Sequence, residues 1–307
     1  MISKILKEID LNSAFTYAEK IVKLDSQKAK IIFDYTVNKS KRGFLNLSHA
    51  YLRWVDDFVD NPKINVEEKR KFIDRQKFLI NSYKKGCFEE YQCTEEAILF
   101  HFICFGLEQN SKLILNAIED MVDAIAMDIK RLQSNGIFSA EELETYINKL
   151  SKALYDIIIY FFLPKHFPSL QNILTCRFQA RTFMMRDLIE DIDAGFINIS
   201  HEDIKKFNLS LLDVKEKRNL EPWIEAELKK ILYLLEAEAE ESRIFPFKFR
   251  IFMYYSHLYY LPKIYRLKVY RFNPNTVLNN RSIVKELQVY FYSFLIGLKL
   301  LRVEFIK

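Results

Sequence analysis

Turn-forming residues are scarce in this chain. It has 6 glycines and 7 prolines in 307 residues, about 4 % where ~12 % is usual. Few turns mean few, long elements. No Gly/Ser/Pro-rich linker and no internal repeat divides the sequence, so it reads as one domain over residues 1–307. Apolar residues recur at helical spacing, and sustained period-two alternation is missing, which predicts an all-α fold. Helices are expected over 3–23 (interrupted at Asn12 and Ser13), 42–60, 66–84, 94–107 and 111–135. Others are expected from Ser139 to about 162, and over 168–194, 221–243, 246–270 and 281–304. Asn61-Pro62 should end the second helix. Gly136 should close the fifth in a left-handed conformation, and Ser139 with Glu142 forms a capping box that opens the next.

Half of the residues are hydrophobic, with 26 Phe and 17 Tyr. That suits either a bulky core or an interior cavity walled by aromatic rings. The net charge of +5 comes from dispersed Lys and Arg. This favours an anionic surface or substrate and excludes the basic stripe that a nucleic-acid partner would need. Cys87, Cys93, Cys104 and Cys176 lack zinc-ligand spacing and suit reduced thiols in a cytoplasmic protein. The N-terminal segment is too charged for a signal peptide, and no apolar run approaches the ~18 residues of a membrane span. The bulky segment Val289–Val303 contains Lys299 and reads as core, with peripheral membrane contact as the alternative. Nothing in the sequence specifies an oligomeric state.

Two acidic segments carry the chemistry. In Tyr51-Leu-Arg-Trp-Val-Asp-Asp-Phe-Val-Asp60, Asp56 and Asp60 stand at i and i+4 on one helix face, with Arg53 one turn earlier. In Arg186-Asp-Leu-Ile-Glu-Asp191, Asp187 and Asp191 repeat that spacing. Like charges so placed repel by a few tenths of a kcal/mol unless a cation neutralises them. Near a helix C-terminus they also oppose the helix dipole. Oxygen ligands without His or Cys favour Mg2+, with Mn2+ as the alternative. The plain alternative is a solvated acidic helix end. A third group, Asp120, Asp123 and Asp128, shares one helix. Asp128 follows small and apolar neighbours and is a candidate for the site, whereas Asp120 and Asp123 read as salt-bridge residues.

At these residues the chain resembles the squalene/phytoene synthase family. Arg53, Asp56, Asp57 and Asp60 match a first motif R-x-x-D-D-x-x-D, and Arg186, Asp187, Glu190 and Asp191 match the end of a second, Q-x-x-N-x-x-R-D-x-x-E-D. Met127-Asp128-Ile129, Tyr146, Tyr270 and Arg281 resemble further family positions. The resemblance implies an isoprenoid-synthase helical bundle in which two metal-binding helices face each other across a deep apolar cavity. Several positions depart from the pattern. Ala180 and Phe183 replace the Gln and Asn of the second motif. Gln27-Lys28-Ala29-Lys30 replaces Ser-x-Ser-Phe, Lys152 and Tyr155 replace a glycine pair, His49 replaces a tyrosine, and Gly195-Phe-Ile-Asn-Ile-Ser200 replaces Gly-Arg-x-Tyr-x-Pro.

The resemblance implies that Asp56, Asp60, Asp187 and Asp191 hold Mg2+ against a prenyl diphosphate while Arg53, Arg186, Lys28 and Arg281 neutralise phosphate oxygens. Asp57, Asp128, Tyr146, Phe183, Glu190 and Tyr270 are expected at the substrate. Phe183, Tyr146, Tyr155, Phe161 and Phe162 are candidate walls for a carbocation. Head-to-head condensation of two prenyl diphosphates with release of pyrophosphate leads. A cyclase or transferase acting on a single diphosphate, and a non-catalytic lipid-binding relative, are the alternatives. NADPH-dependent reduction of the product stays open, since this family type would not need a GxGxxG motif.

Overall fold

The computed structural model describes residues 9–25, 30–31, 33–34, 37–163, 175–241, 245–246, 249–250, 262, 265–266, 284 and 287–291. Among these, eleven helices are defined: α1 (Leu11–Asp25), α2 (Lys39–Asp60), α3 (Val66–Lys84), α4 (Thr94–Glu108), α5 (Lys112–Leu132), α6 (Ala140–Phe162), α7 (Thr175–Arg186), α8 (Leu188–Ala194), α9 (His201–Lys206), α10 (Leu211–Lys215) and α11 (Glu221–Glu241). A single β-bridge, Ile137 with Ile197, is the extended pairing among the described residues. The expected all-α class is what is found. Two compact units are formed, Met1–Lys130 with Lys152–Phe167, and Arg131–Ser151 with Pro168–Lys307.

In the first unit α2 packs on α1 and α4, and α3 packs on α4. Asn38 starts α2 by accepting the Ser40 N–H, and Asn65 starts α3 by accepting the Glu68 N–H at 2.9 Å. Tyr51, Val55 and Val59 recur every fourth residue of α2 and are fully buried. This stripe sets the roll of the helix, so Asp56 and Asp60, one position further on, stand at its edge. Side chains lock the roll. Tyr51 Oη donates to Gln76 Oε1 at 3.1 Å, and Arg75 donates to both oxygens of buried Glu96 at 2.6 and 2.7 Å. Phe58 stacks on Phe72 at 3.9 Å.

In the second unit α11 packs on α7, and α8 packs on α7 and α10. Phe178, Met185, Leu188, Ile192, Ile199, Val214, Trp223 and Ile224 belong to its core. Ser139 and Glu142 form the expected capping contacts at 3.1 and 3.2 Å. Gly136 is left-handed at φ 78°. Its more stringent constraint is contact: a Cβ there would stand 1.9 Å from the Gly195 carbonyl oxygen. The Ile197 N–H donates to the Gly136 carbonyl at 2.8 Å and the His201 N–H to the Phe138 carbonyl at 3.0 Å. These two bonds lay residues 195–201 along the turn after α5.

Four expectations change. Asn12 and Ser13 do not interrupt α1; Asp10 accepts the Ser13 N–H at 2.8 Å and starts the helix at Leu11. The fifth helix stops at Leu132 rather than 135, because Asn135 and Gly136 both take positive φ. The segment expected over 168–194 divides at Asp187 into α7 and α8, residues 168–174 lying outside the described ones. Helices α9 and α10 were not expected. Both are too short for a periodic signal, and each begins with Ser-x-x-Asp, where Ser200 or Ser210 accepts the Asp N–H. The helices expected over 246–270 and 281–304 fall mostly outside the described residues.

Gly136→Ala should destabilise the protein by more than ~2 kcal/mol, since it combines left-handed strain of ~1–2 kcal/mol with a clash against backbone. Gly86→Ala, at φ 75° with nothing within 4 Å of the added carbon, should cost the strain alone. Denaturant unfolding of the two variants side by side checks this, and equal losses would contradict the close-approach argument.

Candidate active site

The first acidic segment closes α2. Arg53 lies between two carboxylates, with Nη2 2.9 Å from Asp57 Oδ1 and Nη1 3.8 Å from Asp56 Oδ2. Asp56 is the unusual member. Desolvation by the surrounding protein, then the charges of Asp60 and Asp128, raise its pKa from 3.8 to about 8, and Arg53 only partly opposes them. Its side chain is nevertheless 42 % exposed. It is crowded by protein and like charge while remaining reachable from solvent. Asp128 on α5 is 5 % exposed and acts on Asp56, as its apolar sequence neighbours suggested. Asp120 and Asp123 are ion-pair residues, held by Lys152 at 3.1 Å and Lys77 at 2.6 Å. Lys69 is a buried cation that the sequence reading missed. Burial lowers its pKa and the charge of Asp60 opposes that shift.

The second acidic segment is built differently. The chain bends at Asp187, yet the Asp187 N–H still donates to the Phe183 carbonyl at 2.9 Å and the Asp191 N–H to the Asp187 carbonyl at 2.8 Å. The i, i+4 relation therefore survives the division between α7 and α8. Glu190 and Asp191 now lie in the first turn of α8. There the helix dipole favours them, so the expected opposition holds at the end of α2 and not here. Arg186 grips Asp187 with two hydrogen bonds, one from Nε to Oδ1 at 2.5 Å. The same guanidinium lies 5.0 Å from the centroid of Phe183. Phe183 is half-buried, a platform for Arg186 as well as a filler.

Asp191 has a partner the sequence did not reveal. Asn198 Nδ2 donates to Asp191 Oδ2 at 2.7 Å, and Asn198 Oδ1 accepts from Arg131 Nη1 at 2.6 Å. Tyr146, expected at the substrate, has Arg131 over its ring at 5.5 Å. Tyr155 and Phe161 are buried, and Phe161 stacks on Phe105 at 6.2 Å. Lys28, Tyr270 and Arg281 lie outside the described residues. Among the described residues no three His, Cys, Asp or Glu converge into a metal cage, and no helix is long and apolar enough to cross a membrane. A groove of about 640 Å³ is lined by Glu144, Asn148, Arg181, Lys229, Lys230 and Tyr233. At its base Arg181 is already paired with Glu144 and Glu227.

The fold is that of the isoprenoid synthases. A dehydrosqualene synthase solved with a ligand superposes at a TM-score of 0.65 and 15 % identity, covering 94 % of this chain and 99 % of the other. A squalene synthase HpnC from Alicyclobacillus acidocaldarius does so at 0.66 and 16 %, covering 87 % and 97 %. Comparison with curated protein sequences gave no match. The squalene/phytoene synthase family model matches residues 36–269. The chain belongs to that family and is thus an enzyme of the prenyltransferase type.

The Asp56 shift makes a pH prediction with a definite sign. Its folded pKa lies above the ordinary value, so ionising it costs stability as pH rises from about 4 to about 8. Asp56→Asn removes that cost. Relative to wild type, the variant should melt higher at pH 9 than at pH 5. Thermal unfolding at the two values checks it, and a difference independent of pH would show that Asp56 ionises normally.

Proposed function

We propose that residues 1–307 act as one isoprenoid-synthase-like domain that ionises prenyl diphosphates with the help of Mg2+ and joins two of them head to head, releasing pyrophosphate. The observation that carries this reading is the crowding at Asp56. Desolvation, then the charges of Asp60 and Asp128, disfavour its carboxylate form, and a divalent cation would relieve the repulsion. The donors suit one: carboxylate oxygens on two segments, without His or Cys, fit a hard cation that completes its shell with water and phosphate. Asp56, Asp60, Asp187 and Asp191 would hold it. Bound there, Mg2+ would stabilise the negative charge that develops on the departing diphosphate.

The chain's own residues supply the rest. Arg53 and Arg186 present guanidinium groups beside the two aspartate pairs, where each can exchange part of its carboxylate contact for phosphate oxygens. Asp57 and Glu190 flank them. Asp128 adds negative charge next to Asp56, which would favour a bound cation there. Tyr146, Phe183, Tyr270, Arg281 and Lys28 remain proposed substrate residues, and NADPH a proposed reductant of the product.

A second reading, a single prenyl diphosphate as substrate, is favoured by Phe183. A phenyl ring offers no oxygen to a cation, and here it backs Arg186 instead. The two readings separate by product. Purified protein with Mg2+ and C10, C15 or C20 diphosphates should yield a product with twice the carbon count, identified by mass spectrometry. A cyclic or simple prenyl alcohol at the original count supports the second reading.

Asp56→Asn and Asp187→Asn should each lower turnover by at least ~10², the scale of one lost electrostatic stabiliser. If both pairs serve one diphosphate, the double variant should be little slower than either single one. Wild-type turnover in both single variants would remove the assignment.

A further inference from the structure

Arg131 is 3 % exposed, and its surroundings are unusual for a buried cation. Its guanidinium carbon lies 4.9 Å from the Phe138 ring centroid, 5.5 Å from that of Tyr146 and 5.0 Å from that of Phe196. Aromatic faces stabilise a desolvated guanidinium and hold it in place. Arginine can only donate hydrogen bonds. Asn198, itself 3 % exposed, must therefore turn its carbonyl oxygen to Arg131, as it does at 2.6 Å. Its amide nitrogen is then turned the other way, and it donates to Asp191 Oδ2 at 2.7 Å. The orientation of Asn198 is dictated by its neighbours' chemistry, so the bond to Asp191 is directional.

We infer that Arg131 is a positioning residue for Asp191, acting through Asn198 from a cage of Phe138, Tyr146 and Phe196. The inference rests on the proposed role of Asp191 in holding the divalent cation. Hydrogen bonds of this kind orient a ligating carboxylate and keep it ionised, and removing one typically weakens metal affinity 10- to 100-fold. The relay is available only because Gly136 and Gly195 meet without side chains, which brings residues 195–201 against the turn that follows Arg131. Sequence separation hid it: 67 positions divide Arg131 from Asn198.

Mn2+ binding to the full-length chain in the presence of inorganic pyrophosphate, followed by electron paramagnetic resonance, tests this without reference to turnover. Asn198→Leu keeps the volume and loses the hydrogen bonds; Asn198→Ser keeps polarity and loses reach. Both should raise the Mn2+ dissociation constant about tenfold, and both should fold but melt below wild type because each leaves the buried Arg131 donor unmet. Arg131→Lys should have a smaller effect in the same direction, and none beyond that of Asn198→Leu when combined with it. Asp191→Asn is the control for the underlying reading. Wild-type Mn2+ affinity in either folded Asn198 variant, with Asp191→Asn weakened, overturns the inference alone. Wild-type affinity in Asp191→Asn overturns the role of Asp191. If none of the Arg131 and Asn198 variants folds, the cluster is a structural brace and the positioning role is overturned.

Discussion

Backbone meets backbone where Gly136 and Gly195 cross, and much of the second unit's chemistry depends on that contact. A Cβ at residue 136 would lie 1.9 Å from the Gly195 carbonyl oxygen. Both residues also need positive φ, 78° and 90°, which L side chains rarely adopt. With no side chain between them, the Ile197 N–H reaches the Gly136 carbonyl. Asn198 then follows with its amide between Arg131 and Asp191. In a chain with 6 glycines, two are used to close one contact.

The two acidic segments answer the same electrostatic problem in different ways. At the end of α2, desolvation and the charges of Asp60 and Asp128 push the Asp56 pKa up, and Arg53, divided between Asp56 and Asp57, only partly offsets them. In the second segment each aspartate has its own partner: Arg186 chelates Asp187, and Asn198 relays the charge of Arg131 to Asp191. Exposed ion pairs contribute little to stability, so the Arg186–Asp187 grip is weak support for the fold. Its value is geometric, since it holds a guanidinium next to a carboxylate that would face phosphate oxygens. The relay differs because it is buried. There an unmet polar group costs more than the bond itself contributes, and the geometry is correspondingly stiff.

Local signals in the sequence were legible and long-range ones were not. Asn61-Pro62, Ser139 with Glu142 and the left-handed Gly136 each act within a few residues, and each stands where expected. The i, i+4 spacing of Asp187 and Asp191 was also legible, because the bend at Asp187 leaves the flanking 183–187 and 187–191 hydrogen bonds intact. Arg131, Lys69 and Asn198 were invisible for a shared reason. Each looks like an ordinary polar residue until a distant segment packs against it. The aromatic content was legible as a quantity and ambiguous as a purpose. Tyr155 and Phe161 went to the core, while Phe183 and Tyr146 support guanidinium groups.

That last use gives meaning to the places where this chain departs from its family's pattern. Phe183 stands where the pattern has Asn, and its ring carries Arg186. Phe196 stands where the pattern has Arg, and its ring carries Arg131. Asn198 stands where the pattern has Tyr, and it accepts the Arg131 hydrogen bond. Three replacements in one segment thus converge on two arginines. The placement is specific, because an aromatic ring stabilises a guanidinium only at its face. Arg131 reaches Asp191 through Asn198, while Arg186 grips Asp187, so each aspartate has a guanidinium behind it. A surface that only bound lipid would have no electrostatic reason to aim a buried guanidinium through Asn198 at Asp191, which weighs against a purely lipid-binding relative.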